Sequence, residues 1–183
     1  MFLIGAVAIG VLAGYALGGR VRYLSHLRLR FLWLVAAAIL IQFIIFPLFS
    51  SRALFPYFTT ELHLASYGLL FVFFFLNYRV WPMFIIAIGA ICNLAVISLN
   101  AGRMPSSAHA LSSAGQPDIA LNLSTNGVMG NVILMSDKTR LNVLGDWLYL
   151  PAWMPLATAF SVGDLIIAVG LTTLVIYGMN HHA

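Results

Sequence analysis

Charge is what this sequence has least of. Its 183 residues include five acids (Glu61, Asp118, Asp137, Asp146, Asp164) and nine basic residues, so that only 8% are charged while 62% are hydrophobic. A water-soluble domain carries about 25% charged residues, so this chain cannot cover its surface in water and its solvent must be lipid. Cysteine is nearly absent too: Cys92 stands alone inside an apolar run, which excludes an intrachain disulfide and leaves the redox compartment unreported. There is no glycine-rich phosphate loop, no serine nucleophile elbow and no Cys–His pairing. The five histidines (His26, His63, His109, His181, His182) lack the one-turn spacing of metal-binding helices. Phosphate cradling, serine or cysteine nucleophiles, metal sites and cofactors therefore find no support. The net charge of +4 does not point to nucleic acid, because the basic residues are scattered over loops.

What is present in quantity is apolar sequence in lengths that suit a bilayer. Mean hydropathy is +0.98, and a membrane span takes about 20 residues. Five stretches qualify, at 2–17, 31–49, 62–76, 80–99 and 160–179. The expected fold is all-α, a polytopic membrane helix bundle forming one domain over 1–183. The second stretch contains Gln42 and Pro47, which neighbouring helices can accommodate. Positive charge follows the first stretch instead of preceding it, so it reads as an uncleaved anchor rather than a signal peptide.

The basic residues predict the orientation. Arg20, Arg22, Arg28, Arg30 and Arg79 fall in short loops on one side. On the other side a short loop holds Arg52, and a long segment holds Arg103, Lys138 and Arg140. Long segments weigh less in this rule, so the first side is cytoplasmic, the N-terminus is outside and the C-terminus inside. All five acids then fall on the outer face. Membrane lipids are the expected partners, together with other membrane-protein subunits.

Residues 100–159 are the outer segment, long enough to need structure of its own. It opens with Asn100-Ala101-Gly102-Arg103-Met104-Pro105 and turns apolar from Ile119 to Met135, interrupted by Asn122, Asn126, Gly127, Gly130 and Asn131. That stretch is too broken to span, so it is expected to lie along the interface or re-enter between helices. The aromatic end, Trp147 to Trp153, suits an interfacial belt. The whole reads as a folded cap.

Other patterns have plain explanations. Gly10, Gly14 and Gly18 form a smooth stripe that serves packing within one chain or, in the other reading, a dimer seam. Phe71 to Phe75 reads as packing, or as a wall for a lipid or pigment. His63, four residues before Tyr67, is a candidate axial pigment ligand that we set aside.

The candidate site is therefore acidic. Asp146 and Asp164 lie at the outer edge of the last span, where a carboxylate is costly unless paired or capping. Two acids brought close share a proton, one acting as base and the other as acid. The structural alternative is specific: Ser161-Val162-Gly163-Asp164 has the form of a capping box, and Asp146 has Arg103 or Arg140 for a partner. On that reading Asn100, Arg103, Ser161 and Asp164 hold the cap or a ligand beneath it.

Two resemblances follow from these residues. Gly102-Arg103-Met104-Pro105, then Leu144-Gly145-Asp146, then Phe160-Ser161-Val162-Gly163-Asp164 resembles a family of small bacterial membrane proteins of unknown function. It implies a bacterial inner-membrane protein and no activity. The last forty residues resemble lipoprotein signal peptidases, in which a Val-Val-Asp-Phe-like segment precedes Phe-Asn-x-Ala-Asp. That resemblance implies that Asp146 and Asp164 are a catalytic pair, with Ser161 and Gly163 standing where that family has Asn and Ala. The leading expectation is a non-catalytic accessory or lipid-like-ligand-binding component; the alternative is an intramembrane aspartyl peptidase.

Overall fold

A computed structural model describes residues 2–45 and 58–181. Pro47, Arg52, His182 and the end of the second predicted span lie outside the described residues. Five apolar helices build the bundle: α1 (Phe2–Ala16), α2 (Trp33–Ile45), α3 (Thr59–Leu76), α4 (Pro82–Leu99) and, last in the chain, α7 (Val162–Asn180). Three of them, α3, α4 and α7, are long and apolar enough to cross a membrane; α1 and α2 are apolar but shorter. Large apolar side chains face outward all around, among them Leu12, Leu40, Phe75 and Phe84, each more than half exposed. A surface of that kind suits lipid.

Helix boundaries follow local chemistry. Pro82 opens α4, where its missing N–H costs nothing. Asn77 ends α3: its Nδ2 donates to Phe73 O (2.8 Å) and Arg30 O (3.0 Å), while its Oδ1 accepts from Arg30 N–H (2.8 Å). This buried asparagine ties the 3-10 turn and loop after α1 to the end of α3. At the same end, Arg20 N–H donates to Met179 O (2.9 Å). At the opposite end Phe2 stacks on Phe160, with ring centroids 4.1 Å apart. Arg20, Arg30 and Arg79 thus cluster at one end of the bundle and the 100–159 segment sits at the other.

Inside the bundle α7 packs against α1 and α4, and α2 against α3. Leu34, Phe73, Met83 and Ile86 form the buried centre, joined by Ile167, Leu171 and Leu174 of α7. Two members of the glycine stripe serve this chain's own packing: a Cβ at Gly10 would meet Thr172 and Val175, and one at Gly14 would meet Met179, whereas Gly18 lies past the end of α1 with nothing within 4 Å.

The 100–159 segment corrects the all-α expectation. It contains two short helices, α5 (Ala108–Ser113) and α6 (Pro117–Asn126), and four strands, β1 (Met104–Ser106), β2 (Val128–Met129), β3 (Val132–Leu134) and β4 (Asp146–Tyr149), and a fifth, β5 (Ala159–Ser161), begins at its end. They form one sheet in the order β2-β3-β1-β4-β5, in which β1 is parallel to both its neighbours. Strands of two to four residues give too few alternations to register as a period, and parallel pairing joins segments distant in sequence. Residues 119–135 do not re-enter the bundle. They form most of α6 and the β2–β3 hairpin, which pack on α5 and β1, with Leu111, Ala120 and Leu123 as a small core. Their interrupting glycines make the turns: Gly127 ends α6 at φ +73° and Gly130 turns the hairpin at φ +58°.

Candidate functional site

The site forms where the cap sheet meets the tops of α3, α4 and α7. Asn100 secures the cap to α4. Its Nδ2 donates to Val96 O (2.7 Å) and Arg140 O (2.9 Å), and its Oδ1 accepts from Arg140 N–H (2.8 Å). The chain then passes through Ala101 and Gly102, both at positive φ, which turns it back over α3. There His63 Nδ1 lies 3.0 Å from Gly102 O and Thr60 Oγ1 donates to Ala101 O (3.2 Å). His63 thus joins helix to cap.

From this anchor β1 runs to Ser106, whose registered neighbour on β4 is Asp146, whose registered neighbour on β5 is Ser161. Residues paired side by side across strands share a face of the sheet, so Ser106, Asp146 and Ser161 form one row. Met104, two residues before Ser106 and on the same face, packs on Val96 and Ile97 of α4 and on Tyr67 of α3. The row therefore faces the bundle.

Ser161 is also the N-cap of α7. Its Oγ accepts from Asp164 N–H (2.9 Å), and Asp164 Oδ2 accepts from Ser161 N–H (3.1 Å), which completes the capping box read from the sequence. Asn93 of α4 adds what the sequence reading missed: its Nδ2 donates to Asp164 Oδ1 (2.8 Å), while its Oδ1 accepts from Ser161 Oγ (2.8 Å). Gly163 lets it in, since a Cβ there would collide with Asn93 Oδ1. A lone asparagine in an apolar span signals a polar partner in the membrane, and that was the available clue.

The fold thus brings Asp146 and Asp164 to one junction of β4, β5 and α7, and their charges act on each other. Burial, and then the Asp164 charge, push the Asp146 carboxyl up to about 7. Neither Arg103 nor Arg140 offsets this, so the cationic partner expected for Asp146 is not what holds it. Arg103 meets the cap through its backbone, donating its N–H to Asn100 O (3.1 Å). Tyr67 lies within electrostatic reach of both aspartates. Ser106, buried at 1% exposure, has an Oγ with no hydrogen-bond partner among the described residues. Among those residues no group of three His, Cys, Asp or Glu side chains is placed to hold a metal ion. Capping accounts for Asp164, but nothing structural accounts for Asp146.

A second feature flanks the start of α7. An apolar groove of about 570 Å³ runs between α1 and α7 beneath the loop after β4, lined by Phe2, Ile9, Leu150, Met154, Leu156 and Val169 among others.

No curated protein and no solved structure matches the chain. Residues 26–176, which take in α2, α3, α4, most of α7 and the entire cap, match a family of unknown function (DUF5317), and the chain belongs to that family.

Proposed function

We propose that this is a multi-pass membrane protein with its N-terminus and cap on the outer face and its C-terminus in the cytoplasm, and that Asp146 and Asp164 form an acid–base pair acting on a membrane-borne substrate. The arginines at the end away from the cap support the orientation, and a reporter fused after Ala183 is expected to be active in the cytoplasm; activity outside would invert it. The observation that carries the acid–base reading is Asp146: a carboxyl half-hidden beside a second one, uncompensated by any cation among the described residues, with its proton affinity raised to near neutrality. Such a group both gives and takes a proton at working pH. The C-terminal resemblance to lipoprotein signal peptidases, with both aspartates at matching positions, supports hydrolysis as the reaction.

The groove beside α7 favours a second, non-catalytic reading, in which the protein holds a lipid-like ligand beneath its cap. Its lining is apolar and its size falls within the range of ligand pockets, about 300–1,000 Å³. One experiment separates the two. The protein in nanodiscs is given a lipid-modified precursor peptide alongside Asp146→Asn and Asp164→Asn. Turnover by the parent that both variants lose is the expected result, since an amide neither takes nor gives the proton. No turnover, with a loss of about 1 kcal/mol confined to Asp164→Ala, would overturn the acid–base reading in favour of a cap over a bound lipid.

A further inference from the structure

The two aspartates are not equivalent, and the hydrogen bonds around one of them say why. Ser161 Oγ accepts from Asp164 N–H, so its single proton points elsewhere, to Asn93 Oδ1. With Asn93 Oδ1 thus used as acceptor, its Nδ2 faces Asp164 Oδ1 as a donor. Asp164 Oδ2 meanwhile accepts from Ser161 N–H. The four bonds link Asn93, Ser161 and Asp164 in a closed set with one donor and one acceptor in each. Turning the Asn93 amide over would set its oxygen against Asp164 Oδ1, lone pair against lone pair. The set therefore fixes both the amide orientation and the role of Asp164, which accepts at both oxygens. Asp146 has none of this: among the described residues its carboxyl has no hydrogen-bond partner, and its row neighbour Ser106 has a buried hydroxyl with none.

We infer that Asn93 is a positioning residue that makes the pair asymmetric, holding Asp164 as acceptor so that Asp146 alone exchanges the proton and, with the Ser106 hydroxyl beside it, meets the ligand. The functional meaning of this rests on the acid–base reading above; the geometry does not. The unpartnered Ser106 hydroxyl marks the open side, because a buried polar group without a partner points to a ligand or water that supplies one. Among the described residues, the titratable groups that act with Asp146 are Asp164 from α7 and Tyr67 from α3. Beyond them, His109 of α5 lies against Tyr149 further along β4.

The test reads the proton directly. The protein is labelled with carboxyl-¹³C aspartate, placed in nanodiscs and titrated by infrared spectroscopy, following the carbonyl stretch of protonated carboxyl groups. One band titrating near pH 7 is expected, and Asp146→Asn should remove it. Asn93→Leu, similar in size but without a donor, leaves Asp164 able to bind the same proton, so the step should broaden and its midpoint rise, by roughly 0.3 pH unit where the two carboxyls compete equally. Ser161→Ala strips the other side of the same amide and should shift the band in the same direction, which covers failure of the Asn93 variant to fold. Ile86→Val, a core change outside this network, should lower stability and leave the midpoint in place. Survival of the band in Asp146→Asn, or a midpoint indifferent to both Asn93→Leu and Ser161→Ala, would overturn the inference. Absence of peptide turnover would defeat the proposed hydrolysis while leaving this spectroscopic result standing.

Discussion

Where α4 meets α7 within the bundle, backbone touches backbone; where the cap meets the same two helices, side chains carry the contact. A Cβ on Gly89 would lie 2.5 Å from Gly163 O and 2.8 Å from Ile167 N, and one on Gly170 would lie 2.9 Å from Ile86 N. In lipid, apolar surface gains little by leaving its solvent, so helices hold together by close approach and by polar contacts. The glycines supply the first. The cap supplies the second: Asn100, Asn93 and Ser161 are all buried, and all are hydrogen-bonded across elements. The two regions should therefore fail differently, the bundle to added bulk and the cap to changes of charge.

The largest effect belongs to the helix seam. Gly89→Ala places a methyl group against the backbone of α7, which cannot yield as a side chain does. Overpacking of this kind costs about 1–3 kcal/mol, against a gain of roughly 1 kcal/mol in helix propensity. A net loss of up to about 2 kcal/mol is expected by thermal unfolding in detergent. The seam also carries Gly163 against Asn93, so the variant should disturb the Asp146 titration as well. Unchanged stability in Gly89→Ala would show that α4 and α7 do not meet as closely as described.

These regions also differ in how far they can be read from sequence. The bundle announces itself, because spans such as 80–99 are continuous in the chain and their apolar character needs no partner to be recognised. Asp164 was equally legible: a capping box lies within four residues. The cap sheet was not. Ser106 gains its meaning from Asp146, forty residues away, through a single parallel pairing, and nothing in Met104-Pro105-Ser106 indicates a strand. Asn93 was passed over inside an apolar span, although its amide there requires a partner. Arg103 and Arg140 illustrate the opposite difficulty. Both were candidate partners for Asp146, while the charge that acts on it in the fold is that of a second carboxylate.

The middle effect tests the cap through pH. An aspartate ordinarily titrates near 3.8, and in the folded protein Asp146 does so near 7. Between these values the folded state holds a proton that the unfolded chain has released, so stability falls as pH rises through that window. The contribution is fully present below about pH 4 and gone above about pH 7. Unfolding measured from pH 5 to pH 8 should show this decline, and Asp146→Asn, which carries no charge at either end, should flatten it. A stability that rises over the same interval would mean that a cation or a hydrogen-bond donor reaches Asp146.

The smallest effect separates close approach from mere proximity. Gly14 looks like Gly89 in sequence, a small residue on a helix face, and an added Cβ there also meets an atom at 2.5 Å. That atom is Met179 Sδ, near the end of a flexible side chain, and the next nearest is the same side chain's Cε. Methionine adapts by rotating its unbranched chain, so the clash can be relieved without moving α1 from α7. Alanine's gain in helix propensity is roughly 1 kcal/mol, and displacing a buried methionine returns a similar amount. Gly14→Ala is therefore expected to fall within about 0.5 kcal/mol of the parent, as changes away from tight contacts usually do. A loss comparable to that of Gly89→Ala would show that Met179, fully buried at the far end of α7, is held rigidly, and that the lower seam is as unforgiving as the upper one.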